Sequence, residues 1–422
     1  MPSGRFPAPV GETPATARGA AMGNPAFIAI LATLIAQVIT SLIAYGVPVA
    51  APEAVGDLGI DPANVGLYTS LLYGVATATA LTCPGLIARY GAIRVAQVCF
   101  LFCTAGLLIG AGGLLSLVVL SAVVIGIGYG PPGPVAAHIL ANHTPPRHAN
   151  LLFSIKQTGV PGGAALAGIL VPVLVLALGW RGALIAMAAI PIVFGIVLIP
   201  MRARLDAERR PGAPLFRGGI AEPLFLVLRD PAIRWLCVAG LIFAGVQLCF
   251  GTFLVVFLVE VVRIDLIAAG VALSLFQVSG VVSRVALGWV ADRFVAPRYL
   301  LAGVGVGTGG AAFLVAAMGP GWPIASIFAV TILAGIVSAA WSGIAFAETA
   351  RIAGPEKTAS AAGGMTFMMY GGVVFGPSGF TGLVALTGGF DAAFAGAAIA
   401  SILGGLLILA SPGVARRKPS PA

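Results

Sequence analysis

Two cations stand inside otherwise apolar stretches of this 422-residue chain. Lys156 lies in Ser154-Ile155-Lys156-Gln157-Thr158-Gly159-Val160-Pro161, and Arg284 lies one helical turn before Gly288. A positive charge in lipid must face a wet cavity, pair with an acid, or snorkel to the interface. If its helix begins near Asn150, Lys156 lies about 9 Å along it at 1.5 Å per residue. Two readings follow for Lys156. It is a positive point drawing an anion into a cavity, with Gln157 and Thr158 as hydrogen-bonding neighbours, or it is a side chain reaching back to the surface. No Asp or Glu falls in the middle of any apolar stretch, so a cationic solute would find no countercharge. A small organic anion such as a carboxylate is favoured. The alternative is export of neutral or amphipathic compounds. Other polar groups deep in apolar stretches are Gln37, Thr40, Ser41, Tyr45, Tyr68, Tyr73, Tyr129, Gln247, Gln277, Trp341 and Tyr370. Each alone reads as a helix–helix hydrogen bond; together they mark the lining of a cavity.

Catalysis has little to work with. There are three histidines, no His-Glu-x-x-His and no acid pair inside a stretch, so a membrane-embedded enzyme is not expected. No P-loop is present to couple ATP directly. Cys83, Cys99, Cys103, Cys237 and Cys249 have neither zinc nor disulfide spacing and read as small apolar fillers. No metal or cofactor is expected.

A second chemistry sits in two short loops. Gly288-Trp289-Val290-Ala291-Asp292-Arg293-Phe294 ends one apolar stretch. Gly85-Leu86-Ile87-Ala88-Arg89-Tyr90-Gly91, with Arg94 after it, ends another, and Arg89 and Arg293 are 204 residues apart. Asp292 can accept from a helix N-terminus and pair with an arginine; the plainer reading is a solvated turn. Glu348, followed by Arg351, is a second acid near this level and could pair with Arg293 or Arg298, or simply end a helix. His138 lies at roughly the matching place in the first half, and Ala88 replaces the acid there, so a weaker first-half latch is expected.

The elements that hold these residues follow from composition. The chain is 59% hydrophobic and 9% charged, against about 25% charged for soluble domains. A helix needs about 20 apolar residues to cross roughly 30 Å of hydrocarbon. On that basis twelve spans are predicted: 26–50, 65–84, 93–112, 114–140, 150–178, 182–201, 235–260, 266–289, 299–318, 323–347, 360–388 and 391–410. They form an all-α polytopic membrane protein of two six-helix bundles, 25–201 and 235–411. A linker (202–234) joins the bundles, and tails (1–24, 412–422) flank them. The continuous apolar stretches argue against a barrel.

With both ends inside, the interior tails and loops hold 19 of the 23 Lys and Arg. This positive-inside bias explains the net charge of +9 without nucleic acid. Matching Gly/Pro clusters occur in spans 5 and 11: Gly159 and Pro161 in one, Gly376 and Pro377 in the other. They read as hinges, or as static kinks for packing.

At residues 288–294 the chain resembles the signature loop of the major facilitator superfamily. Gly371 to Gly379 is similar to that family's Gly-Pro motif, although displaced to span 11. The resemblance covers about residues 25–411. It implies two six-helix halves around a central cavity, lined by spans 1, 4, 7 and 10 with 2, 5, 8 and 11 beside them. It further implies a secondary transporter working by alternating access, driven by protons or by exchange. A functional monomer, multi-pass in a bacterial inner membrane, is expected. The resemblance gives Arg89, Arg94, Gly288, Asp292, Arg293 and Glu348 a gating role. It assigns Arg284 to the same network through Asp292 or Glu348, with anion binding as the alternative. Ser121 to Gly130 of span 4 carries no charge, unlike many proton-linked members.

Overall fold

The computed structural model describes residues 25–143, 158–202, 206, 209–212, 227–353 and 358–411. Among the described residues there are helices and turns but no strand. Lipid dictates this, because each backbone N–H and C=O must pair within its own segment. Ten helical stretches are long and apolar enough to cross a membrane. One of them, Gly159–Met201, has 43 residues and would be about 65 Å long if straight, two crossings' worth. Gly179 divides it with φ 69 and ψ 166, which interrupt the helix. The remaining crossing is Val65–Tyr90, 26 residues long. Twelve spans result.

Span 1 is Pro25–Leu58, span 2 Val65–Tyr90 and span 3 Ala92–Gly110. Span 4 consists of Leu115–Tyr129 continued by Pro132–His143, and spans 5 and 6 are the two parts of Gly159–Val197. In the second half, span 7 is Pro231–Glu260, span 8 Leu266–Arg293 and span 9 Pro297–Ala316. Span 10 consists of Ile324–Ala339 continued by Trp341–Ala353. Span 11 is Thr358–Thr387 and span 12 Phe390–Ala410. Span 1 outruns its expected end at residue 50. Its helix carries on past the hydrocarbon and stops near Gly59, where φ is 61.

The two halves repeat one packing scheme, carried by glycines where backbones touch. Span 5 meets span 1 where Gly163 abuts the Val38 carbonyl, and span 11 meets span 7 where Gly372 abuts the Leu241 carbonyl. Span 4 meets span 2 at Gly126 and Leu72; span 10 meets span 8 at Gly335 and Phe276. Thr104 Oγ1 donates to Ala188 O at 3.1 Å between spans 3 and 6, and Ser401 Oγ donates to Gly305 O at 2.9 Å between spans 12 and 9. Between the halves, span 2 lies on span 11 and span 5 on span 8. Gly168 and Gly270 meet backbone to backbone at the latter crossing.

The halves are shut at the end bearing Asp57, Asp61, Glu260 and Asp265, here the acidic side. Thr381 Oγ1 donates to Ala63 O at 2.7 Å across the interface. Phe253 and Phe380 stack beneath it with ring centres 4.2 Å apart, and Phe390 and Phe394 back them. At the opposite, basic side the continuation of span 4 packs on spans 1, 2 and 3, and that of span 10 on spans 7, 8, 9 and 11. Among the described residues each packs on its own half, which leaves the basic side the more open of the two.

Candidate functional site: a cationic cavity between the halves

Span 8 is fastened to span 10 by a ladder of side chains on successive turns. Ser279 Oγ donates to Ile332 O at 3.1 Å, Ser283 Oγ to Ile336 O, and Arg284 Nε to Ala339 O at 2.9 Å. Ala339 ends the first helix of span 10, so the arginine binds at the interruption of that span. Arg284 is half-buried and makes no ion pair among the described residues. The terminal nitrogens therefore remain available to a solute.

Two turns earlier on the same face of span 8 is Gln277, about 10 Å away along the axis. Tyr45 from span 1 lies near Gln277 and Tyr73 and within electrostatic range of Arg284. Its ring sits against Gly251 of span 7, where any side chain would displace it. Tyr73 donates to the Tyr129 hydroxyl at 3.4 Å, with the rings edge to face at 5.1 Å. Ser41 lies within hydrogen-bonding reach of Tyr129, and Tyr370 lies in electrostatic range of it. Phenols from spans 1, 2, 4 and 11 thus converge with Gln277 and Arg284 of span 8. The arrangement can bind one negative charge and hydrogen-bond a polar body beside it.

Other expected lining residues are placed differently. Trp341 is 1% exposed; it donates from Nε1 to Gln247 Oε1 at 3.1 Å and packs on Phe243. It clamps span 10 to span 7 instead of facing the cavity. Gln37 is buried, with its amide 3.5 Å from Ser41 Oγ and its stem against Gly159. Lys156 and Gln157 lie outside the described residues.

The gate assignments also change. Glu348 is buried and holds Arg351 through two bonds of 2.6 and 2.8 Å; among the described residues no ion pair is seen joining it to Arg293, Arg298 or Arg284. An i, i+3 partner needs no rearrangement to be reached. Arg293 lies 5.9 Å from the Trp289 ring, and Arg89 5.6 Å from the Tyr90 ring. Asp292 is in the last turn of span 8, beyond Gly288, which has open space around it.

The first-half loop has a partner that its own residues did not reveal. Asp206, from the connection after span 6, accepts from Ile93 N at 2.8 Å and Arg94 N at 3.3 Å. It caps span 3, which follows Gly91 with φ 95 and has no cap of its own. Arg202 lies 3.8 Å from the same carboxylate, and Arg210 N donates to Ala88 O at 2.7 Å. An acid standing among arginines in the linker was the available signal.

Of the expected hinges, Gly159 abuts Gln37 and Gly376 abuts Gly245 in this conformation. The described helix opens at Gly159, placing Pro161 in a first turn, where its missing N–H goes unnoticed. Span 11 continues as helix through Pro377, and Gly376 meets Gly245 of span 7. The interruptions occur at corresponding places in spans 4 and 10 instead. Pro131 and Pro132 remove two donors from span 4; in span 10 the Arg284 bond marks the place. A separate apolar crevice of about 290 Å³ lies among spans 7, 11 and 12, lined by Gly245, Gly376, Phe380 and Ala397. It offers no group to recognise a polar solute. No group of His, Cys, Asp or Glu fit to hold a metal occurs among the described residues.

The 4-hydroxybenzoate transporter PcaK of Pseudomonas aeruginosa is 29% identical over 292 residues, covering 60% of this chain and 64% of that protein. The hexuronate transporter of Bacillus subtilis is 24% identical over 274 residues, covering 62% and 64%. The chain therefore spans a little under two thirds of these relatives' length. Among solved structures, a bacterial homolog of the human lysosomal transporter Spinster, inward-facing and occupied, superposes with a TM-score of 0.70 at 16% identity. That match covers 92% of this chain and 96% of the other. A point mutant of the nucleoside transporter NupG gives 0.72 at 16% identity, covering 90% and 99%. A family model described as Major Facilitator Superfamily matches residues 33–377. With that match over most of its length and twelve helices in two like halves, the chain belongs to the Major Facilitator Superfamily.

Proposed function

We propose that this secondary transporter carries a small organic monoanion, an aromatic or sugar carboxylate, through the cavity between its halves. The observation that carries the proposal is Arg284, a cation at the cavity wall with no acid to neutralise it among the described residues. Arg284 binds the carboxylate; Tyr45 and Gln277 hydrogen-bond the solute, and Tyr73 and Tyr129 wall it. Relatives named for 4-hydroxybenzoate and hexuronate transport support an anionic solute. On the positive-inside rule the basic side is cytoplasmic, so the cavity faces the cytoplasm in this conformation. Lys156 would add a second positive charge, and Arg89, Arg94, Asp292 and Arg293 would meet when the basic side closes.

A thermal-shift titration of the purified chain tests this with 4-hydroxybenzoate, glucuronate and a neutral amphiphile. Anions are expected to stabilise the protein, Arg284→Gln to weaken that effect at least tenfold, and Arg284→Lys to retain part of it. Removing one partner of a desolvated charged pair costs about 2–5 kcal/mol, enough for a loss of this size. Undiminished anion stabilisation in Arg284→Gln would remove Arg284 from the site. Stabilisation by the neutral amphiphile alone would favour export of neutral compounds.

A further inference from the structure

We infer that the carrier is an obligate anion exchanger: it reorients when loaded and stalls when empty. The inference rests on the reading of Arg284 as the anion site. Alternating access passes through a state closed on both sides, in which Arg284 is cut off from bulk water. With a carboxylate bound, the charge is paired. Without one, the guanidinium keeps the Ala339 carbonyl and the neutral phenol of Tyr45 nearby. An uncompensated charge enclosed in protein and lipid raises the barrier to that state.

A carrier coupled to protons avoids this barrier if a carboxylate near the cation pairs with it once the solute has left. This chain supplies no such carboxylate. Its sequence has no Asp or Glu between Asp61 and Asp206, which leaves spans 2 to 6 without an acid. In span 1, Glu53 and Asp57 stand in the last turns at the acidic side; in the second half, Glu260, Asp265 and Asp391 stand at the acidic side, and Asp292 and Glu348 toward the basic side. Glu348 is nine residues beyond Ala339, about 13 Å along the helix, and is held by Arg351. Lys156 carries charge of the same sign as Arg284, and His138 lies in the basic-side helix of span 4. The countercharge must therefore arrive with the solute, and one anion leaves as another enters.

The experiment uses the full chain in liposomes preloaded with radiolabelled 4-hydroxybenzoate, or glucuronate if that is the anion that stabilises it. Efflux into buffer containing the same unlabelled anion is expected to exceed efflux into anion-free buffer by at least ~30-fold, equivalent to ~2 kcal/mol of barrier. Equal rates overturn the exchange inference while leaving the anion site standing. Accumulation driven by a pH gradient with no anion on the opposite side does the same. Failure of both anions to stabilise the purified protein instead defeats the anion site, and exchange with it.

A second measurement follows the empty carrier directly. Ala63→Cys places a thiol in the closed acidic side, where the chain's own described cysteines are all buried. A membrane-impermeant maleimide is expected to label it about tenfold faster when the anion is present. With Arg284→Gln added, labelling is expected to be fast with or without anion. Labelling indifferent to both anion and Arg284 overturns the inference.

Discussion

Arg284 shows how little separates a structural residue from a functional one. Its Nε bond to Ala339 O fixes the guanidinium, and in the proposed site the two terminal nitrogens are what remains to meet a solute. The sequence showed a cation in an apolar stretch but not which way it faced, since the nearby signature loop offered an equally good acid. The tyrosines were legible only as polar groups in spans; their meeting depends on Gly251 admitting the Tyr45 ring. Tyr45→Phe removes one hydrogen bond, worth about 0.5–1.5 kcal/mol. It is expected to weaken anion binding about three- to tenfold in titration calorimetry, with the fold intact. Unchanged affinity would place Tyr45 in the wall without a contact to the solute.

At the scale of elements, the twelve spans were readable because lipid demands long apolar stretches and leaves little room for ambiguity. Where a helix breaks was not. Proline and glycine in spans 5 and 11 looked like hinges, yet Pro161 sits in a first turn and Gly376 closes the contact with span 7. Hydrophobicity cannot tell a glycine that bends a helix from one that admits a neighbour. The cap of span 3 was equally hidden, because Asp206 lies 113 residues beyond the Ile93 N–H it accepts. Asp206→Ala is expected to lower stability by about 1 kcal/mol, read as a fall in the midpoint of thermal unfolding, with Asp206→Asn keeping most of the cap. Gly91→Ala is expected to cost at least as much, since φ is 95 and its new methyl would meet the Asp206 carboxylate. A midpoint unmoved in both variants would show that the cap contributes nothing.

At the scale of the molecule, the repeat of the loop at 85–91 and 288–294 announced two like halves, and the helix pairing carries that likeness throughout. Which end is closed could not be read from the chain, because the same contacts must form and dissolve in each cycle. Here the closed end depends on groups that no motif flagged, among them Thr381 and Ala63. Thr381→Val deletes a bond across the halves, about 1 kcal/mol, or fivefold in the balance of the two facing states. Maleimide labelling of Ala63→Cys is expected to rise by about that factor in the Thr381→Val background. An unaltered rate would mean that the packing of span 2 on spans 7 and 11 keeps this end shut without that bond.

The reach of Asp206 back to the Ile93 and Arg94 amides also decides where the polypeptide can be divided. A cut after Met201 would assign the carboxylate to the wrong fragment, and the first six helices would fold with a bare amide cluster beside the Arg89 turn. A cut after Gly212 keeps that acid, and the Arg210 bond to Ala88, with the helices they serve. Co-expressed fragments split at the later point should therefore reassemble in greater yield than those split at the earlier one, although both divide the chain six helices from six.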